Sequence, residues 1–277
     1  MNKLPAQVNW VYISENTGGK SANGILAAES PRLLRNIKGI IFDFDGTLFD
    51  NATIAFRLIA AYPPDILRIW RERLVRKSFA GCDYSSPEEY YSAFFDAFGK
   101  ACSRSPQRMR NWYYNRYMPR MIRTLKKHYK ARPGALELFS QLEANGLQVA
   151  IYSDYPFLKE RLEALGFKLN PGFRLYGPES FGAQKPAPKP FLSIAGDLGA
   201  LPEEVLVIGD REDTDGIGAF RAGMRFFCLK TGRKRYVRLD PAHQSYGSEE
   251  QHGPLFVMYA GAWENLVKIL LNHTCKG

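Results

Sequence analysis

The chain has 277 residues, 45% of them hydrophobic and 24% charged, with a formal net charge of +10. That length holds one large domain or two moderate ones, and no segment has the roughly 20 uninterrupted apolar residues a membrane helix needs. Met1 to Ser14 lacks the h-region of a signal peptide, and Cys82, Cys102, Cys228 and Cys275 form no C-x-x-C pair, so free thiols in a cytoplasmic setting are expected.

Residues 1–36 read as an N-terminal extension on the edge of the core. Val8 to Ser14 suits a short strand and Pro31 to Arg35 a turn of helix. Gly18-Gly19-Lys20-Ser21 resembles the end of a phosphate-binding loop, but Ser14 stands where that motif needs its first glycine. Ile40 to Phe42 is a short β-branched and aromatic run, the mark of a buried strand. It leads into Asp43-Phe44-Asp45-Gly46-Thr47. Residues i and i+2 of a strand share a side, so Asp43 and Asp45 are expected to face one site. Loop punctuation would leave unexplained why so apolar a strand ends in two acids. A calcium loop would need a third acid before its glycine.

Helical spacing follows for some eighty residues, over Ala52 to Ala61, Ile66 to Arg76 and Pro87 to Phe98. Ser86-Pro87-Glu88-Glu89 has the form of a helix start, and Ser105-Pro106 opens another. Met109, Trp112, Tyr113 and Tyr117 share one face of that helix. Pro119 is expected to kink it or to begin a new one running to about Tyr129. Lys130 to Gly134 reads as a linker.

From Ala135 strand and helix alternate. Helices are expected at Ala135 to Asn145, Pro156 to Leu165, Pro190 to Leu198, Asp215 to Ala222 and Ala262 to Asn272. Strands are expected at Leu147 to Tyr152, Val205 to Ile208, Phe226 to Leu229 and Leu255 to Tyr259. Repeated βα units of this length imply an α/β fold with a doubly wound parallel sheet. The helical block then reads as an inserted domain: residues 37–50 and 134–277 form the core, and 51–133 the insertion. Thr231 to Gly253 is polar and reads as a long loop.

Three further strand or turn ends carry chemistry. Ser153 follows one strand, and its hydroxyl with nearby N–H groups suits an anionic oxygen. Lys185 sits in Gln184-Lys185-Pro186-Ala187-Pro188, where two prolines stiffen the backbone. Gly209-Asp210-Arg211-Glu212-Asp213-Thr214-Asp215 gathers four acids at a strand end, a costly arrangement without a cation.

Taken together, Asp-x-Asp-Gly-Thr, then Ser, then Lys-Pro, then Gly-Asp-x-x-x-x-Asp resembles the haloacid dehalogenase superfamily, in its phosphatase branch with a helical cap inserted after the first motif. The resemblance spans roughly residues 37 to 270. It implies a Mg²⁺-dependent phosphatase of small phosphorylated metabolites. Asp43 would be the nucleophile, Asp45 the general acid and base, and Lys185 the group neutralising charge on Asp43 and the phosphoryl group. Thr47, Ser153 and Asp154 would bind substrate. Asp43, Asp45 and Asp210 would hold the metal, with Asp215 supporting the metal or Lys185. Lys189 is nearby, but Lys185 occupies the Lys-Pro position. A dehalogenase of the family would need only the first acid and no metal. A sugar-phosphate mutase of the same family would use the same residues.

Arg104 to Arg132 carries ten basic residues and no Asp or Glu. Its arginines and aromatics have three readings. The aromatics form the insertion's core beneath a solvated basic face; or some arginines line a cleft and select an anionic substrate; or the segment binds nucleic acid by phosphate contact and base stacking. No nucleic-acid motif accompanies it, so that last partner is not expected.

Overall fold

The computed structural model describes residues 8–13, 33–168, 173–230 and 256–274. The glycine-rich Gly18 to Ser21, the polar stretch Thr231 to Gly253 and Cys275 lie outside them. Seven strands form one wholly parallel sheet: β1 (Val8–Ile13), β2 (Gly39–Asp43), β3 (Gln148–Tyr152), β4 (Arg174–Tyr176), β5 (Val205–Gly209), β6 (Arg225–Leu229) and β7 (Phe256–Gly261), in the spatial order β1-β7-β6-β5-β2-β3-β4. β2 lies where the chain's outward progression reverses. β3 and β4 follow on one side of it, and β5, β6 and β7 on the other. A crevice outside the carboxyl ends of the strands at such a point is where open α/β sheets bind ligands.

Alternation along the strands separates two cores. Ile40, Phe42, Val149, Ile151, Leu206 and Ile208 face one layer, with Leu138, Phe139 and Leu142 of α6 (Ala135–Ala144) and Trp263, Leu266 and Ile269 of α11 (Trp263–Thr274). Ile41, Ala150, Val205 and Val207 face the other, with Phe191 and Ile194 of α9 (Pro188–Asp197) and Ala219 of α10 (Ile217–Arg221). A strand covered on both faces has no polar side to show, which is why β2 and β5 are buried at every residue. The N-terminal stretch does more than rest on the core: β1 pairs in register with β7, Val8 opposite Phe256 through Ile13 opposite Gly261.

Between β2 and α6 the chain runs through α1 (Ile54–Ala61), a 3₁₀ turn (Pro63–Asp65), α2 (Ile66–Ser78), α3 (Pro87–Cys102), α4 (Pro106–Trp112), a π-helical turn (Tyr113–Tyr117) and α5 (Met118–His128). Ser86 and Ser105 cap α3 and α4 as their sequences demand, each hydroxyl accepting a backbone N–H three residues on. Pro119 stands in the first turn of α5, as expected of a proline that begins a helix, and α5 runs to His128. The π-helical turn lies just before it and changes the hydrogen-bond register where proline has no N–H to give. Trp112, Tyr113 and Tyr117 are buried among Phe94, Phe95 and Phe98, so their rings are not available to stack on bases. Arg120 pairs with Asp65 and lies over the Tyr62 ring. Among the described residues, no helix is long and apolar enough to cross a membrane. Cys82, Cys102 and Cys228 are free thiols.

Two short elements escape the sequence reading. β4 has three residues, and α8 (Pro178–Phe181) has four, too few for either period to declare itself. The last short helix before the crevice is α7 (Leu158–Ala164), directly beyond β3.

Candidate active site

Register brings the carboxyl ends of the central strands level. Asp43 lies opposite Tyr152, the last residue of β3, and Phe42 lies opposite Ile208, one residue before Gly209 ends β5. Ser153 and Asp210 therefore leave their strands beside Asp43. Gly46 turns the chain at φ +95°, in the left-handed region that favours glycine. A side chain there would collide with the Asp210 carboxylate, so the glycine also lets the first turn close over the acid from β5.

Lys185 joins these ends. It is 2% exposed, and its Nζ donates to Asp43 Oδ1 at 2.6 Å and to the Tyr152 carbonyl at 3.1 Å. The same ammonium lies 2.8 Å from Asp215 Oδ1. Thr47 donates its hydroxyl to Asp43 Oδ2 at 2.9 Å. Asp154 accepts the Lys185 backbone N–H on Oδ1 at 3.2 Å, which makes it a support for the lysine's loop. Lys189 is elsewhere, on Asp83 and the Tyr84 carbonyl.

Carboxylate oxygens of Asp43, Asp210 and Asp215 lie within 4.8 Å of one another, and Oδ1 of Asp210 is buried without a hydrogen-bond partner. Burial, and after it the neighbouring acids, pushes Asp43 and Asp210 up to about 7; Lys185 pulls the other way. Burial raises Asp215 to about 6, again against Lys185. Burial alone would lower Lys185, but the charges of Asp215, Asp43 and Asp154 outweigh it and hold its pKa up. Two of the three acids thus share one ammonium, and Asp210 pairs with no cation in the cluster. An all-oxygen set short of positive charge suits a hard divalent cation such as Mg²⁺, and the buried, unpartnered Asp210 oxygen is a donor atom that fits one. The other two acids of that strand end have local cations, Glu212 pairing with Lys230 and Asp213 with Arg211.

Asp45 faces the same site, where its charge helps raise Asp43 and Asp210, but its carboxylate stands outside the cluster of three. A strand reaching residue 45 would align it with Asp43, and β2 ends at Asp43. Both carboxylate oxygens of Asp45 instead take the guanidinium of Arg161, and Oδ2 also accepts the Ser153 hydroxyl at 3.1 Å. Ser153 Oγ in turn accepts from Arg161 Nη1 at 2.9 Å and from the Tyr155 N–H at 3.2 Å. Arg161 is 0% exposed, and the sequence reading missed it. Its signal was present: Leu158, Arg161, Leu162 and Leu165 form one helical stripe, and a cation on an apolar stripe needs a buried partner.

The family described as haloacid dehalogenase-like hydrolase matches residues 37–223. A glyceraldehyde 3-phosphate phosphatase of Pyrococcus furiosus is 24% identical over 77% of this chain and 88% of its own. One of the same description from Methanopyrus kandleri is 43% identical, but over 23% of this chain and 26% of that protein. An N-acetylmuramic acid 6-phosphate phosphatase of Pseudomonas aeruginosa is 27% identical over 63% of this chain and 74% of its own. Among solved structures, a HAD phosphatase from Thermococcus onnurineus superposes with a TM-score of 0.53 at 19% identity, covering 84% of this chain and 98% of that one. The L-2-haloacid dehalogenase of Xanthobacter autotrophicus reaches 0.52 at 20% identity with the same coverage. These structural likenesses describe the fold.

Proposed function

The chain belongs to the haloacid dehalogenase-like hydrolases, and from that premise we propose that it is a Mg²⁺-dependent phosphatase of a small phosphorylated metabolite. One observation carries the reading: the Lys185 ammonium lies between Asp43 and Asp215, with the unpartnered Asp210 oxygen beside them. A carboxylate that attacks a phosphate monoester meets a dianion, and this site gathers the means to offset that repulsion. Phosphatases among the relatives point the same way.

In this reading Asp43 attacks phosphorus through one carboxylate oxygen. The ester P–O bond breaks, and Asp45, which must first leave the Arg161 guanidinium and take up a proton, gives that proton to the departing oxygen. Water then attacks the aspartyl-phosphate, Asp45 takes its proton, and inorganic phosphate leaves with Asp43 restored. Lys185 keeps Asp43 oriented and offsets the phosphoryl charge. Ser153 has one hydroxyl proton, so binding a phosphoryl oxygen means withdrawing that proton from Asp45. Asp43 and Asp210 would hold Mg²⁺, with Asp215 behind them, and the ion would supply charge neutralisation at the transferring group. Residues 51–133 would act as a cap over a core of 37–50 and 134–277, with 1–36 as its extension.

The test is phosphate release from a panel of phosphorylated sugars and acids and from an aryl phosphate. Release in Mg²⁺, cut at least about tenfold by EDTA, is expected. Release from no substrate in either condition would defeat the reading.

The raised carboxyls also set a stability profile for the metal-free protein. Asp43, Asp210 and Asp215 hold protons in the folded chain well above their ordinary range, at about 7, 7 and 6. The folded state then binds more protons than the unfolded one, and stability falls as pH rises from about 4 to 7. Melting temperature is expected to be lower at pH 8 than at pH 5 without metal, and Mg²⁺ is expected to narrow the gap. A flat profile, insensitive to Mg²⁺, would contradict the crowding.

A further inference from the structure

Gln184 precedes Lys185 and is 4% exposed. Both ends of its amide are held by the helical segment. Nε2 donates to the Arg76 carbonyl of α2 at 3.0 Å, and Oε1 accepts the Tyr90 hydroxyl of α3 at 3.0 Å. The main chain repeats the pattern. The Gln184 N–H donates to the Cys82 carbonyl at 3.1 Å, the Gly81 N–H to the Lys185 carbonyl at 3.1 Å, and the Tyr84 N–H to the Gly182 carbonyl at 3.0 Å. Asp83 and Ala183 complete an antiparallel bridge. Residues 81–84 therefore lie as a short strap along 182–185.

The contacts close into a ring. Arg76, whose carbonyl takes Gln184, sends Nη1 to the Asp154 carbonyl at 2.8 Å. The Asp154 carboxylate takes the Lys185 N–H. Arg76 is itself fixed, by Glu72 at 2.7 Å, by the Tyr113 hydroxyl at 2.9 Å, and over the Tyr155 ring at 4.1 Å. The loops carrying Ser153 and Lys185 thus meet the same arginine, and it belongs to neither.

We propose that Gln184 is a positioning residue through which seating of the helical segment sets the Lys185 loop, so that the ammonium reaches Asp43 only when α2 and α3 are docked. The effect on turnover rests on the phosphatase reading; the mechanical coupling does not. An amide is the side chain that satisfies both contacts, one needing a donor and the other an acceptor. Leucine would leave the Arg76 carbonyl and the Tyr90 hydroxyl unpaired in the interior. Glutamate would set a carboxylate oxygen against the Arg76 carbonyl.

Cys82 supplies a readout independent of activity. It is a half-buried free thiol within the strap, and burial pushes it up to about 11. Release of the strap exposes the thiol and speeds its alkylation. The full chain and its Gln184→Leu and Tyr90→Phe variants are treated with N-ethylmaleimide without substrate, and Cys82 is followed by peptide mass mapping. The same proteins are assayed for kcat and KM on an aryl phosphate with Mg²⁺.

Loss of one or two buried hydrogen bonds is expected to speed Cys82 alkylation about 2- to 10-fold and to lower kcat by a similar factor, with KM moving less than about twofold. The double variant is expected to be no faster than Gln184→Leu, because Tyr90→Phe removes a contact that Gln184→Leu has already broken. Tyr90→Phe deletes a single oxygen and carries the test if Gln184→Leu does not fold. Unchanged Cys82 alkylation in the folded variants overturns the proposal, and so does unchanged kcat in an active enzyme. If the wild-type chain hydrolyses nothing, the phosphatase reading fails, and the alkylation rates alone decide the coupling.

Discussion

Asparagine at position 43 is expected to lower phosphate release by at least about 10³-fold, the order of loss that follows deletion of a covalent nucleophile. The substitution keeps the shape of the side chain and most of its contacts. Its amide oxygen would face the Lys185 ammonium, which now donates to Oδ1 at 2.6 Å, and its NH₂ would face the Thr47 hydroxyl, which turns from donor to acceptor. It also removes one of three crowded acids, each of them raised by burial. The metal-free variant should therefore melt no lower than the wild type at pH 8. Phosphate release and a thermal melt on one preparation measure both effects. Turnover within tenfold of wild type would remove Asp43 from its assigned role.

Methionine at position 185 is expected to cost both activity and stability, for the opposite reason. It preserves the length of the stem and deletes the one cation that Asp43 and Asp215 share. Breaking a buried ion pair by removing one partner costs about 3–5 kcal/mol. The cost should depend on pH in a stated direction. Lysine is charged in the folded and unfolded chain throughout pH 5 to 8, because its folded pKa is raised above the ordinary value of 10.5. The carboxyls are different: with folded values near 7 and 6, Asp43 and Asp215 take up protons as pH falls toward 5 and no longer need a counter-charge. Urea melts should show the larger penalty at pH 8 and a smaller one at pH 5. An equal penalty at both would mean that the lysine stabilises by packing rather than by charge.

What could be read from the sequence follows the range of the interactions involved. β2, β3, β5 and the chemistry at their ends were legible because a short apolar run closed by a glycine or an acid is a local signal. Their convergence was legible because parallel βα units leave few arrangements. The partners of Asp45 were not. Its pairing with Arg161 spans 116 positions and depends on how α7 sits under the loop after β3. Gln184 carried no signal, since an amide beside a lysine looks like any polar turn. Arg76 and Glu72 gave a partial one: with Ile69 and Val75 they occupy the buried face of α2, and an ion pair four residues apart on such a face is a core element. The basic stretch from Arg104 to Arg132 invited a nucleic-acid reading because composition does not reveal burial. Trp112, Tyr113 and Tyr117 are buried and Tyr114 and Tyr129 half-buried, and Arg132 holds the Gly46 and Thr47 carbonyls.

The two strands at the far edge of the sheet have a consequence for how the protein is made. β1 emerges from the ribosome before every other described element, while its hydrogen-bonding neighbour β7 follows almost all of them. At about 5–20 residues per second, the roughly 240 residues between Ile13 and Phe256 take about 10 to 50 seconds to synthesise. For that interval Val-Asn-Trp-Val-Tyr-Ile has no template to join, and the remaining strands can assemble without it. The oldest strand of the nascent chain is thus the last to be zipped in.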